Sequence, residues 1–286
     1  MKIRAPAKVN LYLRVVGKRG DGYHLLDTLM VPVSLCDEIE ITRPLKRTPK
    51  TAQLTVTCDD PCVPSGNRNL AFKAASLLFK KKGIKESVHI RIHKRIPVGA
   101  GLGGGSSDAA ATLVALDRLL RLHCRRHELL ALAASLGADV PFFVVGRPAR
   151  AKGIGERIQP LSSFPKLWLV ILYPGFPVST RWVFEHLPPT LTKSIETFSM
   201  KFSVAKPGEL NRLLVNDLEN VTISRYPKIA LLKDRLIKEG AAGALMSGSG
   251  SSVFGIFAGE QMAKKACRRL SREEEGVRVF LVRSLS

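Results

Sequence analysis

Residues Pro97 to Ala111 read P-V-G-A-G-L-G-G-G-S-S-D-A-A-A, with five glycines in seven positions at 99, 101, 103, 104 and 105. Glycine lets a backbone turn its N–H groups toward a ligand with no Cβ in the way. Ser106 and Ser107 are good helix N-caps, and Ala109, Leu113, Leu116 and Leu120 then follow at helical spacing. A glycine loop feeding a helix N-terminus gathers free N–H groups and the positive end of the helix dipole at one spot, which is an anion site. The expected ligand is a phosphate. Such a loop is expected at the surface, so that Gly104→Val would raise the KM for ATP or abolish turnover and leave the fold intact.

Three phosphate motifs can be tried on this run. A P-loop needs a Lys followed by Ser or Thr after its second glycine, and no Lys occurs from 95 to 117. G-x-G-x-x-G matches at Gly99, Gly101 and Gly104, but the acidic residue that should close a second strand about 20 positions on has no place in a stretch that stays helical to Leu120. The protein-kinase glycine loop fails because Ser106 stands where Val is wanted and neither H-R-D nor D-F-G occurs. What is left is P-x-x-x-G-L-G-G-G-S-S.

The 286 residues are 45% hydrophobic and 24% charged, an ordinary balance for a chain that buries a core. No apolar run reaches the length of a membrane span, and because Met1 to Pro6 leads straight into strand-like sequence no signal peptide is expected. Cys36, Cys58, Cys62, Cys124 and Cys267 are scattered and complete no zinc set, which fits reduced thiols in a cytoplasm. The net charge of +21 suits anionic metabolites. The positive residues are dispersed, aromatics are only 6% and nucleic-acid motifs are lacking, so neither a nucleic acid nor a membrane is the expected partner.

Along the chain, 2–16 alternate as a strand, and strand-like runs recur near 29–33, 38–42 and 54–57. A helix is expected at 69–82, a strand through Val88, Ile90 and Ile92, and helices at 106–120, after the glycine loop, and at 127–136. Asp139 then sits among apolar residues before Pro141, where it is either a turn residue or a functional carboxylate. A glycine-rich crossover is expected over 146–160, a strand at 167–172, a helix at 179–187 and a loop-rich insertion at 188–209. Helices at 209–219 and 228–239, the turn Met246 to Gly250, a strand at 253–257, a helix at 260–270 and a strand at 277–282 complete the pattern.

Four segments line up with the loop: Ala5-Pro6-Ala7-Lys8-Val9-Asn10-Leu11, Gly20-Asp21-Gly22-Tyr23-His24, Leu136-Gly137-Ala138-Asp139-Val140-Pro141-Phe142 and Met246-Ser247-Gly248-Ser249-Gly250. Together they resemble the GHMP kinases, and within them the branch that phosphorylates 4-diphosphocytidyl-2-C-methyl-D-erythritol in the non-mevalonate isoprenoid pathway. The resemblance implies an α+β, two-domain GHMP kinase fold with the active site in the interdomain cleft. It implies an N-terminal domain over 1–155 carrying the ATP loop and a C-terminal domain over 156–286.

It further implies transfer of the ATP γ-phosphoryl group to the 2-hydroxyl of that substrate, with Mg2+ as cofactor. Asp139 would be the base and Lys8 its partner. Asn10 would hold the erythritol hydroxyls. Pro97, Val98, Gly99, Ala100, Gly101, Leu102, Gly103, Gly104, Gly105, Ser106 and Ser107 would cradle the phosphates. Asn69 and Leu70 would line the adenine pocket, with Lys94 near the nucleotide. Tyr23 and Phe184, in a segment opening at Thr180, would sandwich the cytosine while His24 reads its edge. Gly248, Ser249 and Gly250 would close on the phosphates. Trp182 could replace Phe184 as the stacking ring. Asp108 could stand near magnesium or serve the helix N-terminus, and the second role is preferred. The metal ligands are left unassigned. The competing readings are a GHMP kinase for another alcohol, such as homoserine, and a non-catalytic nucleotide- or RNA-binding protein.

Overall fold

The structure, a computed structural model, describes residues 1–43, 53–188 and 214–286. Its contacts divide the chain into two compact units. The first gathers Met1–Ala7, Leu35–Val98 and Gly103–Gly146, and the second gathers Lys8–Ser34, Gly99–Leu102 and Arg147–Ser286. Two long strands, β1 (Lys2–Lys18) and β2 (His24–Thr42), contribute residues to both units. The sequence breaks β2 into two runs at 29–33 and 38–42. The chain does not, because nothing between them favours a turn: Ser34, Leu35, Cys36 and Asp37 carry the strand straight on.

In the first unit the second half of β2 pairs antiparallel with β4 (Val88–His93), from Glu38 opposite His93 to Thr42 opposite His89. β3 (Leu54–Cys58) adds to β4 in parallel. Helix α1 (Leu70–Lys82) starts where Asn69 Oδ1 accepts Ala71 N–H at 2.8 Å. It stops at Gly83, in the left-handed region at φ 64°, and Lys80, Lys81 and Lys82 complement the negative end of its dipole. Its buried face (Ala71, Ala74, Ala75, Leu78 and Phe79) packs on α2 (Gly104–Leu119). Because those contact residues are mostly alanines, the two helices approach closely. α3 (Arg126–Leu136) and the short α4 (Val140–Val145) pack against α2 in turn.

In the second unit β1 pairs in parallel with β8 (Val215–Asn216), Tyr12 facing Val215. The first half of β2 pairs with β5 (Ala149–Gly153), which turns back as a hairpin into β6 (Arg157–Pro160). The expected crossover at 146–160 is therefore a hairpin, and the glycines at 153 and 155, both at positive φ, form its turn. A four-stranded antiparallel sheet runs β11-β7-β10-β9, from β7 (Trp168–Tyr173), β9 (Gly243–Met246), β10 (Val253–Phe257) and β11 (Arg278–Arg283). Helices α7 (Lys228–Lys238) and α8 (Glu260–Glu273) cover it. Leu232, Leu236, Ala263, Ala266 and Leu270 meet Val170, Leu172, Val253 and Phe257 in one buried cluster.

Two shorter helices, α5 (Thr180–Glu185) and α6 (Glu219–Arg225), complete this unit. The helix expected over 209–219 is not formed in its described part. Val215 and Asn216 are strand, and the helix begins at Glu219 after the Asn216 side chain has taken Leu218 N–H at 3.0 Å. The remainder of that segment, and the insertion expected over 188–209 beyond Pro188, lie outside the described residues.

Candidate active site

The glycine loop is held from beneath. Gly99, Gly101 and Gly103 all lie at positive φ, 66°, 76° and 72°, where a side chain is strained. Val178 N–H donates to Gly99 O at 3.0 Å, Ser252 N–H to Ala100 O at 3.1 Å and the Ser247 hydroxyl to Gly101 O at 3.0 Å. A Cβ on Gly101 would stand 2.0 Å from Ser247 O and 2.9 Å from Gly250 O. The first half of the loop is thus main chain laid on main chain, against the 247–252 turn.

α2 begins three residues earlier than a Ser106 cap would set it. Gly103, left-handed, is the N-cap, and Ser106 and Ser107 already belong to the first turn. A glycine can make the abrupt turn into the helix that a serine cap could not. Ser107 N–H makes the first intrahelical bond, to Gly103 O at 2.9 Å, so the N–H groups of Gly104, Gly105 and Ser106 precede the ladder and offer an anion site. Gly104 is buried, and a Cβ there would meet Ile96 Cγ2 and Lys94 Nζ at 3.0 Å each. The expectation that Gly104→Val leaves the fold intact is therefore corrected: this part of the loop is core. Gly105 is exposed, and a Cβ there would find only Leu70 Cδ1, at 3.6 Å.

Under Gly104 lies a buried ionic cluster. Lys94 Nζ donates to Asp37 Oδ2 at 2.6 Å and to Asp108 Oδ2 at 2.7 Å. Asp37 Oδ1 also accepts Arg95 N–H and Ile96 N–H, at 2.6 and 2.8 Å. Burial, opposed by Lys94, pushes the Asp108 carboxyl up to about 7. Asp108 thus lies beyond the first turn of α2 and is engaged by Lys94, in place of the preferred role at the helix N-terminus.

In the second unit, Lys8 and Asn10 occupy adjacent inward positions on β1, both almost fully buried. Lys8 Nζ donates to Asn10 Oδ1 at 2.6 Å, and Lys8 N–H donates to Leu102 O of the glycine loop at 3.0 Å. Gly248 leaves room for both side chains, since a Cβ there would be 3.2 Å from Lys8 Nζ and 3.5 Å from Asn10 Oδ1. The Gly248 turn is fixed by Asn216, whose Nδ2 donates to Met246 O and Gly248 O at 2.8 Å each. Asn216 is a residue that sequence reasoning missed, because it falls in a stretch read as helix. Ser249 and Thr180 share a hydroxyl contact at 2.8 Å.

His24 stacks on Phe184, centroids 5.2 Å apart and planes 22° apart, while Tyr23 beside them is 61% exposed. Trp182 is engaged elsewhere, stacked on His186 at 4.3 Å with Arg225 over its ring at 4.4 Å. Burial, reinforced by Lys18, lowers the His24 pKa, so its ring is neutral at pH 7, with one donor and one acceptor nitrogen. Asn69, Leu70, Lys94, the 103–107 segment and Asp139 belong to the first unit, and Lys8, Asn10, Tyr23, His24, Gly99–Leu102, Thr180, Phe184 and Gly248–Gly250 to the second. Asp139 is half-buried at the start of α4 and its side chain does not cap that helix.

The GHMP kinases N terminal domain family matches residues 69–147 and the GHMP kinases C terminal family residues 203–275. A 4-diphosphocytidyl-2-C-methyl-D-erythritol kinase of Geobacter metallireducens is 45% identical over 285 residues, 100% of this chain and 99% of that one. One of Syntrophus aciditrophicus is also 45% identical, over the same shares of the two chains. The chain belongs to the 4-diphosphocytidyl-2-C-methyl-D-erythritol kinase family. A crystal structure of a 4-(cytidine 5'-diphospho)-2C-methyl-D-erythritol kinase superposes with a TM-score of 0.82 at 38% identity, covering 100% of both chains. The mevalonate kinase of Methanococcus jannaschii, at 16% identity and a TM-score of 0.75 over 100% of this chain and 98% of that one, shares the fold. The α+β, two-domain GHMP kinase architecture is thereby established, and the homoserine-kinase and RNA-binding readings are not favoured.

For this kinase the loop geometry gives a direct expectation. Gly101→Ala forces a side chain into the left-handed region and a carbon to 2.0 Å from Ser247 O, so the loop or the 247–252 turn must move by about an ångström. Displacements of that size cost about 10²-fold in rate. Steady-state kinetics should show kcat/KM for ATP down by that factor in Gly101→Ala and within a few-fold of wild type in Gly105→Ala. Equal behaviour of the two variants would mean the backbone contact does not set the loop.

Proposed function

We propose that the chain carries out its family's reaction, ATP-dependent phosphorylation of the 2-hydroxyl of 4-(cytidine 5'-diphospho)-2-C-methyl-D-erythritol, using the residues assembled above. The observation that carries the proposal is the buried Lys8–Asn10 pair, joined through the Lys8 main chain to a glycine loop that ends in a free helix N-terminus. A buried cation and a phosphate cradle are what phosphoryl transfer requires, since that reaction depends on positioning and charge neutralisation. Asp139 takes the proton of the 2-hydroxyl, whose oxygen attacks the γ-phosphorus as the bond to the β,γ-bridging oxygen breaks and ADP leaves. Lys8 neutralises charge at the attacking oxygen. Asn10, with one N–H and one lone pair left after its internal bonds, holds the erythritol hydroxyls.

The N–H groups of Gly104 to Ser106 receive the phosphates, with Pro97 to Leu102 and Gly248 to Gly250 shaping the cradle. Asn69 holds the start of α1, from which Leu70 reaches toward Gly105 and the adenine. Lys94 serves the nucleotide indirectly, from beneath Gly104. Among the described residues no group of three or more His, Cys, Asp or Glu could hold a metal by itself. Ser107 Oγ, however, is buried without a hydrogen-bond partner in the first turn of α2. That fits Mg2+ entering as the ATP complex, which needs one or two protein ligands beside the phosphate oxygens. Ser107 would hold the ion, and the ion would neutralise charge on the β- and γ-phosphates.

Tyr23 covers one face of the cytosine and Phe184 the other, with neutral His24 hydrogen-bonding the base edge; the His24–Phe184 stack and the commitment of Trp182 elsewhere support Phe184. The five cysteines are free, as suits a cytoplasmic enzyme, and no described helix is long and apolar enough to cross a membrane. Turnover of ATP with the cytidine substrate and with a panel of other alcohols tests the reading. Phosphorylation of the cytidine substrate alone is expected; equal use of homoserine or mevalonate, or no turnover at all, would sink it.

Tyr23→Ala should lower kcat/KM for the cytidine substrate by about 1–3 kcal/mol, the scale of one base stack, and leave the KM for ATP unchanged. Because the His24 pKa is lowered, the rise in KM for the cytidine substrate that follows protonation of the acceptor nitrogen should be displaced toward the acid side of the ordinary imidazole range. A rise in KM beginning above that range would contradict the neutral-ring assignment.

A further inference from the structure

Behind Asn10 lies a hydroxyl to which the reaction above gives no part. Thr28, on β2, is 2% exposed, as is Asn10. Its Oγ1 donates to the main-chain oxygen of Tyr12 at 2.6 Å and receives Asn10 Nδ2 at 2.8 Å. A threonine has one hydroxyl proton. With that proton given to Tyr12 O, Thr28 can only accept from Asn10, so it selects the amide orientation with Nδ2 toward β2 and Oδ1 toward Lys8. The opposite orientation would turn an NH2 group toward the ammonium, donor against donor. The chain Tyr12 O, Thr28 Oγ1, Asn10, Lys8 Nζ is therefore polarised in one direction, and its last link fixes one of the three ammonium protons at 2.6 Å.

We propose that Thr28 is a positioning residue for phosphoryl transfer, acting through the Asn10 amide to orient the Lys8 ammonium toward the attacking oxygen. The proposal rests on the roles given above to Lys8 and Asn10. The part that acts is the hydroxyl. Gly248 stands beside the pair, a Cβ there lying 3.2 Å from Lys8 Nζ and 3.5 Å from Asn10 Oδ1.

Valine and serine separate hydroxyl from methyl. Thr28→Val keeps the shape, removes the hydroxyl that Tyr12 O and Asn10 Nδ2 share, and leaves the amide held at its Lys8 end alone, free to rock. Its kcat should fall about tenfold or more, the scale of a buried hydrogen-bond partner left unmade, with KM for ATP unchanged. Thr28→Ser keeps the hydroxyl and removes a methyl group, so it should lose thermal stability yet retain kcat within about twofold. In an Asn10→Ala background Thr28→Val should have no further effect on kcat, because the link it acts through is gone.

Thermal denaturation of every variant separates loss of fold from loss of rate. Wild-type kcat in Thr28→Val, a serine variant as slow as the valine one, or a full Thr28→Val effect in the Asn10→Ala background would each overturn the proposal. Should Asn10→Ala itself turn over at the wild-type rate, the assignment of Asn10 falls first, and that outcome is distinct from the other three.

Discussion

Asp139→Asn should turn over about 10² to 10⁴ times more slowly than the wild-type kinase while binding both substrates, the span expected when a general base is removed. The substitution keeps the shape of the side chain and removes its ability to take a proton. Asp139 stands before Pro141 at the start of α4 and its side chain does not cap that helix, so the substitution removes no capping bond. Lys8→Ala should also lower kcat. The double variant should lose less than the product of the two single losses, since residues that act as a unit are not additive. Single-turnover kinetics at saturating ATP would isolate the chemical step, and an unchanged rate there for Asp139→Asn would remove it from the mechanism.

How much of this was legible in the sequence differs from residue to residue, for physical reasons. The elements were legible where periodicity is strong and breakers are local. α1 is Leu70–Lys82, capped by Asn69 and Gly83, β10 is the Val253–Phe257 run, and α7 follows its apolar spacing closely. The chain was misread where the deciding interaction is tertiary. β2 runs on through Ser34 to Asp37, where the Ser34 hydroxyl accepts Arg283 N–H at 3.0 Å and Asp37 Oδ1 accepts the N–H groups of Arg95 and Ile96. Val215 and Asn216 are strand because β1 is there to pair with them, which no helical spacing can announce.

The same division holds for the site. A glycine loop is legible because its chemistry is concentrated in one segment. Thr28 and Asn216 were not, because each is an ordinary residue for its place, and only the partners it meets, Asn10 in one case and the carbonyls of Met246 and Gly248 in the other, give it a task. Ser106 and Ser107 were recognised but misplaced: they belong to the first turn of α2, because Gly103 at positive φ has already turned the chain.

Lys94→Met is expected to cost about 3–5 kcal/mol of stability, the penalty for removing one partner of a buried ion pair. The side chains of Lys94, Asp37 and Asp108 are 3%, 0% and 5% exposed, so water cannot replace the ammonium that joins the two carboxylates. Asp37 is also held by two main-chain N–H groups, at Arg95 and Ile96, whereas Asp108 Oδ1 is buried without a partner. Asp108 is thus the carboxyl that must take up a proton when Lys94 is lost, and Lys94→Met/Asp108→Asn should recover part of the stability.

The pH dependence has a definite sign. Because the folded-state pKa of Asp108 is raised from 3.8 to about 7, the folded chain binds that proton more tightly than the unfolded one between those values. The contribution of this group therefore falls as pH rises from about 4 toward 7, and Asp108→Asn should flatten stability across that window. Since Lys94 Nζ lies where a Gly104 side chain would be, 3.0 Å from its Cβ position, folded Lys94→Met molecules should also show a raised KM for ATP as the start of α2 loosens. Urea unfolding at pH 5 and pH 8 checks the ledger. An unchanged midpoint for Lys94→Met at both pH values would mean that the ammonium is not the counter-charge on which the glycine loop is seated.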